Sequence, residues 1–168
     1  VAAQHAVAVG FQAGEDDFLL IENHCPICVA ATACQGFCRA ERELFQWLRT
    51  QHANGVRICS VCTGAFALGK AGLLNGRKCT THWKRTTELK NAFPLIRLEE
   101  DILFTEDGGI FTSAGVTAGI DMALHILGRI IDDQMSFKVA RELVVYLRRE
   151  GSDSQQSVFL KYRNHIHS

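Results

Sequence analysis

The feature that most constrains the fold is an alternation of short apolar runs with longer amphipathic stretches. The runs at residues 18–21 and 56–61 are typical of strands that are buried on both faces of a sheet. The stretches at residues 39–52 and 117–131 repeat their apolar residues at helical spacing. Strands that alternate with helices predict an α/β fold, with a mostly parallel sheet and helices on both of its faces.

The second half of the chain continues this alternation. A short strand at residues 78–81 precedes a helix at residues 83–93, and the turn at residues 106–109 predicts a hairpin. We also expect a helix over residues 133–147. Its apolar stripe would consist of Val139, Leu143, Val144 and Leu147.

Size and charge limit the classes of function. A chain of 168 residues suffices for one domain with a substantial core. Its 18 basic and 18 acidic residues balance, whereas nucleic-acid binders usually carry a basic excess, so this segment gives no sign of touching DNA. Its apolar runs are shorter than the roughly 20 residues of a membrane span, so we expect a cytoplasmic protein without a membrane partner. The composition predicts a domain over residues 1–149 and a flexible linker over residues 150–168.

Cys62 stands in a turn, with Gly64, between the strand at residues 56–61 and a helix. Such a turn exposes a side chain at the carboxyl edge of the sheet, where the helix N-terminus favours a thiolate. His82 follows the next short strand and would return to the same edge. The pattern admits a Cys62–His82 pair for nucleophilic chemistry or ligand binding, or a buried structural thiol.

A second group of cysteines lies upstream of this turn. Cys25, Cys28, Cys34 and Cys38 have a spacing that admits a tetrahedral zinc site, since C-x2-C is a usual half-site. The same four thiols could form a redox pair or pack as small apolar groups. The chain has seven cysteines, an odd number, and no secretion signal, which favours reduced thiols over a disulfide framework. We expect no cofactor, although these four thiols could hold a zinc ion.

Several blocks of sequence, in a fixed order, resemble the GlxA-like sensor domain of AraC-family transcription regulators, a domain of the ThiJ/PfpI type. These blocks are CSVCTGAF at residues 59–66, AGLLNGR at 71–77, TTHW at 80–83, FTSAGVTAGID at 111–121, and the end of the domain at 143–149. The resemblance covers about two thirds of the chain. It implies a flavodoxin-like three-layer sandwich, similar to class I glutamine amidotransferases.

The resemblance also implies a function. Cys62 matches the family's nucleophile and His82 its partner, and the backbone amide of Thr63 matches an oxyanion donor. In such regulators a small-molecule effector binds this domain, and DNA is bound by a C-terminal helix-turn-helix domain that this chain does not contain. A homodimer is expected because such regulators usually meet two half-sites.

Two departures from the family pattern argue against catalysis. Residues 1–12 are too short and irregular for the family's opening strand and helix, which carry the acidic partner of the nucleophile. The family's glycine pair is absent at Glu22-Asn23-His24. We therefore expect a ligand site that is not an enzyme. The alternatives are a cysteine-dependent hydrolase or amidase, and a thiol or metal sensor that uses Cys25–Cys38.

The predicted ligand site contains several residues beside the Cys62–His82 pair. Trp83 could stack on a ligand or belong to the core, and backbone amides near Ser113 and Gly115 could hold a carboxylate. For Asp121 we prefer a helix-surface charge paired with His125. The predicted ligand contacts are Asn23, Cys62, Thr63, His82, Trp83, Ser113 and Gly115.

Overall fold

The computed structural model describes the backbone of residues 7–13, 16–22 and 37–157, and the side chains of residues 42–157. The described part contains seven strands and five α-helices. The strands are β1 (Val7–Ala13), β2 (Asp16–Glu22), β3 (Arg57–Val61), β4 (Lys78–Cys79), β5 (Arg97–Leu98), β6 (Phe104–Asp107) and β7 (Ile110–Ser113). The helices are α1 (Phe37–Ala53), α2 (Gly64–Lys70), α3 (Thr86–Ala92), α4 (Val116–Ile130) and α5 (Asp133–Glu142), with a 3-10 turn at Trp83–Arg85.

The main sheet has the order β1-β2-β3-β7-β6. Its three central strands, β2, β3 and β7, run parallel, and antiparallel hairpins form both edges. Strands β4 and β5 form a separate parallel pair. The predicted α/β class is confirmed, but the parallel part is confined to the middle of the sheet. Residues 7–13, for which no strand was predicted, form edge strand β1.

Side chains of β3 and β7 alternate between two apolar clusters. Ile58 and Ile110 pack with Leu48 and Leu68 of α1 and α2, whereas the next residues along each strand pack with Met122 of α4. Since successive side chains of a strand point to opposite faces, helices cover both faces of the sheet. The predicted three-layer arrangement is therefore present in the part of the chain that the structure describes, and it leaves the carboxyl ends of β3 and β7 side by side.

Helix α5 ends earlier than we predicted, at Glu142 rather than at residue 147. Val144 has a φ angle of 55°, in the left-handed region, which a continuing helix cannot accommodate. Leu143, Val144 and Leu147 are 58%, 85% and 67% exposed, so the predicted apolar stripe at these positions is wrong.

After this turn the chain runs back over the domain as a segment that we call the C-terminal strap, residues 148–157. Arg149 binds Asp121 of α4 through its backbone N–H (3.1 Å) and through Nε (2.9 Å) and Nη2 (2.6 Å) of its guanidinium. The carbonyl oxygen of Gly151 accepts from the N–H groups of Leu103 (2.9 Å) and Phe104 (3.2 Å). Whether a linker to a further domain begins at residue 150 stays a prediction.

The structure corrects our prediction that Asp121 is a surface charge paired with His125. Its side chain is buried, at 2% exposure for the residue, and its partner is Arg149 rather than His125. The ring of His125 instead lies 5.2 Å from that of Phe104. The sequence favoured His125 because residues four apart lie on the same face of a helix. The partner in the structure, Arg149, lies 28 residues from Asp121 and could not be recognised from helical spacing.

We predict that Arg149→Ala lowers the free energy of unfolding by about 3 kcal/mol, because it leaves the buried Asp121 carboxylate without its guanidinium partner. The double variant Asp121→Ala/Arg149→Ala should be less destabilised than Arg149→Ala alone. Urea denaturation measures both. Arg129→Ala is the control: its ion pair with Glu106 lies at the surface, so it should cost less than about 1 kcal/mol. Equal losses for Arg149→Ala and Arg129→Ala would contradict the prediction.

Candidate functional site

Cys62 lies where β3 ends and α2 is about to begin. Its backbone is in the left-handed region, with a φ angle of 55°, which costs a non-glycine residue about 1–2 kcal/mol. Two neighbouring segments hold this conformation: the Cys62 N–H donates to the carbonyl oxygen of Ser113 (2.9 Å), and the Thr81 hydroxyl donates to the Cys62 carbonyl oxygen (2.8 Å). The strained turn therefore projects a half-buried thiol at the carboxyl edge of the sheet.

The two other described cysteines are in a different environment. Cys59 and Cys79 are buried, and burial raises the pKa of each thiol to about 12. Nearby carboxylates, Glu106 for Cys59 and Glu99 for Cys79, act in the same direction. Both thiols remain protonated near neutral pH, so they are unsuited to nucleophilic chemistry.

His82 follows β4 and caps the 3-10 turn. Its Nδ1 accepts a hydrogen bond from the Lys84 N–H (3.3 Å), and a Cβ placed on Gly115 would lie 3.8 Å from its Cδ2. Burial lowers the pKa of His82, and the positive charges of Lys84 and Arg85 lower it further. The lowered pKa favours the neutral form of this imidazole, which lies next to Gly115 at the N-cap of α4.

This hydrogen bond determines which nitrogen of the His82 imidazole carries the proton in the neutral form. A neutral ring that accepts at Nδ1 carries its proton on Nε2, so Nε2 is a donor. In a catalytic triad the bonds are reversed: Nδ1–H donates to a carboxylate, and Nε2 accepts the proton of the nucleophile. The observed arrangement suits His82 to holding an acceptor atom of a ligand rather than to deprotonating a thiol.

Trp83 is 45% exposed, which excludes a place in the core. Its ring stacks against that of His82, with 5.7 Å between centroids and 27° between planes. The Nζ of Lys84 lies 5.1 Å from the centroid of the indole. The indole is thus a partly exposed wall beside His82, and its ring makes a cation–π contact with a lysine of the chain itself.

The remaining predicted contacts lie close to this edge. Ser113 is buried, and its hydroxyl donates to the Ser60 carbonyl oxygen at 3.4 Å. The Ala114 N–H donates to the Leu103 carbonyl oxygen (2.7 Å), so this amide is already used within the fold. Gly115 has extended backbone before α4, and Thr63 is a buried residue preceding α2. A ligand contact at these positions stays a prediction.

Four of the other predicted site residues lie outside the described residues: Asn23, Cys25, Cys28 and Cys34. Cys38 lies in the first turn of α1, where the structure describes the backbone alone. Among the residues that the structure does describe, no group of three or more His, Cys, Asp or Glu side chains could hold a metal ion. Among the described helices, none is long and apolar enough to cross a membrane. The zinc, redox and packing interpretations of the cysteine group all remain open.

One residue at this site, Gln155, was not predicted from the sequence. The side chain of Gln155, in the C-terminal strap, accepts from the Trp83 N–H through Oε1 (2.8 Å) and donates to the Thr81 carbonyl oxygen through Nε2 (3.0 Å). It therefore binds the backbone on both sides of His82. No signal in the sequence indicated this, because residues 150–157 have the composition of a linker.

The family model of the DJ-1/PfpI family matches residues 33–129, more than half of the chain. The chain belongs to the DJ-1/PfpI family. The fold and the sensor-domain resemblance that we inferred from the sequence are thereby confirmed.

Similar proteins include regulators and an enzyme. The HTH-type transcriptional regulator GbdR of Pseudomonas aeruginosa is 38% identical over 121 residues, 72% of this chain but only 32% of that protein. Isonitrile hydratase of Pseudomonas putida is 36% identical over 105 residues, 62% of this chain and 45% of the enzyme. The crystal structure of an AraC family transcriptional regulator from Pseudomonas putida is 25% identical, with a TM-score of 0.55, over 61% of this chain and 55% of that chain.

The strained turn leads to a prediction about stability. Since glycine tolerates a φ angle of 55° better than alanine, Cys62→Gly should be more stable than Cys62→Ala by about 1 kcal/mol. At Cys59, in the interior of β3, the order should reverse, and Cys59→Gly should be the less stable of the two variants. Urea denaturation of the four variants tests this, and the same order at both positions would refute it.

The thiols should also differ in reactivity. A pKa of about 12 leaves roughly one thiolate in ten thousand at pH 8, so Cys59 and Cys79 should resist alkylation. We expect iodoacetamide to modify Cys62 at least tenfold faster than either, because its thiol is partly exposed. Peptide mapping by mass spectrometry measures the three rates in the folded protein, and a urea-unfolded sample supplies the control. Comparable rates in the folded protein would show that burial does not protect Cys59 and Cys79.

Proposed function

We propose that this chain is the effector-binding domain of an AraC-type transcription regulator. A small metabolite would bind beside Cys62 and His82 and bias a helix-turn-helix domain located elsewhere in the same protein. The similarity to GbdR carries this proposal, because it extends over 72% of the chain. The solved AraC family regulator, which is similar over 61% of the chain, supports it. DNA binding, a homodimer and a cytoplasmic location belong to this proposal.

The bonding of His82 supports ligand binding over turnover. With the Lys84 N–H at Nδ1, the ring offers an Nε2–H donor to a ligand. Lys84 and Arg85 add positive charge next to it, and the Trp83 ring adds an apolar wall. A small molecule with a carboxylate or another anionic acceptor would match this surface. Its contacts would be those predicted from the sequence: Asn23, Cys62, Thr63, His82, Trp83, Ser113 and Gly115.

A second candidate is an enzyme in which Cys62 is the nucleophile. The similarity to isonitrile hydratase favours it, since that enzyme is matched over 62% of this chain. The strained turn at Cys62 is also compatible with a reactive thiol. To act as the base of a catalytic triad, however, His82 would have to release Lys84 and change its tautomer. A thiol or metal sensor based on Cys25, Cys28, Cys34 and Cys38 is a further alternative.

The test uses the complete gene product. Sequencing past the codon for Ser168 should reveal about 100 further residues with two helix-turn-helix motifs. Thermal shift of that protein against a panel of small carboxylates and amines should identify a stabilising compound, and the same compound should change the affinity for promoter DNA at least fivefold. His82→Ala and Cys62→Ala should weaken both effects by tenfold or more.

His52→Gln is the matched control. His52 lies beside Gly109, whose carbonyl oxygen accepts from Ile58 at the start of β3, so it occupies the opposite edge of the sheet. This variant should respond like the unmodified protein. Turnover of an isonitrile or a simple amide that Cys62→Ala abolishes, together with DNA affinity that no compound changes, would instead establish the enzyme.

A further inference from the structure

The C-terminal strap reaches the candidate site, where Gln155 contacts the backbone beside His82. The two hydrogen bonds of the Gln155 amide, to the Trp83 N–H and to the Thr81 carbonyl oxygen, flank His82 on both sides. Thr81 is the same residue whose hydroxyl binds the Cys62 carbonyl oxygen. One glutamine side chain thus adjoins both residues of the predicted pair through their backbone neighbours.

Asp101 holds Gln155 in place. Its carboxylate accepts from the Gln155 N–H (3.0 Å) and from the Ser154 hydroxyl (3.0 and 2.9 Å). Asp101 has a φ angle of 55°, the second strained backbone position near this site. Further up the strap, Gly151 lies so close to β6 that a Cβ there would be 2.7 Å from the Phe104 carbonyl oxygen. The strap is therefore fixed by specific contacts at several points.

We infer that Gln155 is a positioning residue for the candidate site, and that docking of the strap and the geometry of the Thr81–Trp83 backbone form one coupled equilibrium. The inference rests on the proposed function for its biological meaning. A ligand that contacts His82 or Trp83 differently in the docked and undocked states must change the docking of the strap, because coupling between two sites is reciprocal. The segment that leaves the domain would thereby report the occupancy of the site.

The contacts that hold the strap near Asp101 are of a kind that allows docking and undocking without unfolding of the domain. Ser154, Gln156 and Asp153 are exposed, and the strap contacts near Asp101 are polar hydrogen bonds rather than buried apolar packing. Each such hydrogen bond makes only a small net contribution to stability, because water competes for the same groups. Local segments of this kind open at free energies well below that of global unfolding. The strap is accordingly suited to release without loss of the core.

The first experiment measures amide hydrogen exchange by NMR on this chain without any ligand. Gln155→Ala should raise the exchange rate of the Trp83 amide about tenfold, because it removes that amide's acceptor. Gln155→Glu keeps the acceptor oxygen and should preserve most of the protection. Gln156→Ala is the matched control, since the neighbouring glutamine bonds Ser154 only through its backbone.

The second experiment tests the coupling at a distance. Asp101→Gly removes the carboxylate while accepting the positive φ angle, and Gly151→Ala pushes the strap away from β6. Both variants should release Gln155 and raise exchange at the Trp83 amide several-fold, although neither substitution changes a hydrogen-bonding partner of Trp83. In a Trp47→Phe background, where Trp83 is the remaining tryptophan, acrylamide quenching of its emission should rise in parallel.

The outcomes separate this inference from the proposed function. If Asp101→Gly and Gly151→Ala loosen the strap, seen as faster exchange at Gln155 or Leu103, but leave the Trp83 amide and its quenching unchanged, the coupling is refuted. An unchanged Trp83 amide in Gln155→Ala refutes the positioning role. If both measurements behave as expected while no compound alters DNA binding, the inference stands and the proposed function fails.

Discussion

The site depends on the backbone of Cys62 being held in a conformation that a cysteine disfavours. The carbonyl oxygen of Ser113 and the hydroxyl of Thr81 hold it from two sides, and each belongs to a segment that the sheet has already placed. The position of Ser113 follows from the parallel pairing of β3 with β7, in which Val61 lies opposite Ser113. The strained turn is therefore stable because the surrounding fold determines it, and the thiol is presented at a fixed point of the edge.

The same edge combines features of an enzyme with features of a binding site. The turn at Cys62 has the geometry that nucleophiles use, whereas the His82 ring is bonded in the tautomer opposite to that of the base in a catalytic triad. A family that includes both regulators and an enzyme fits this combination.

Much of the fold could be predicted from the sequence, because buried parallel strands and amphipathic helices have distinct periodicities. Strands β2 and β3 and helices α1 and α4 match the predicted elements to within a few residues. The end of α5 could not be predicted, since the apolar spacing continues past Val144 while the backbone turns there. Edge strand β1 was missed because it pairs with β2 as a hairpin and has a weak pattern of its own.

Only part of the candidate site could be predicted from the sequence. The strand-turn-helix pattern indicated Cys62, and the next strand end indicated His82, since both signals are local. Gln155 and the partner of Asp121 depend on contacts between residues 72 and 28 positions apart, which no local pattern encodes. The tautomer of His82 was equally inaccessible, because it depends on a single backbone N–H from Lys84.

The contacts of the strap determine how far the chain can be shortened without disturbing the candidate site. The change in composition at residue 150 suggests a natural place to shorten the chain, and a protein ending at Arg149 would keep the whole sheet and the bond to Asp121. It would nevertheless lack Gly151 and Gln155, so the N–H groups of Leu103 and Trp83 would lose their acceptors. Such a shortened protein could fold and still give misleading affinities in a ligand screen, because the residues around His82 would no longer be held in place.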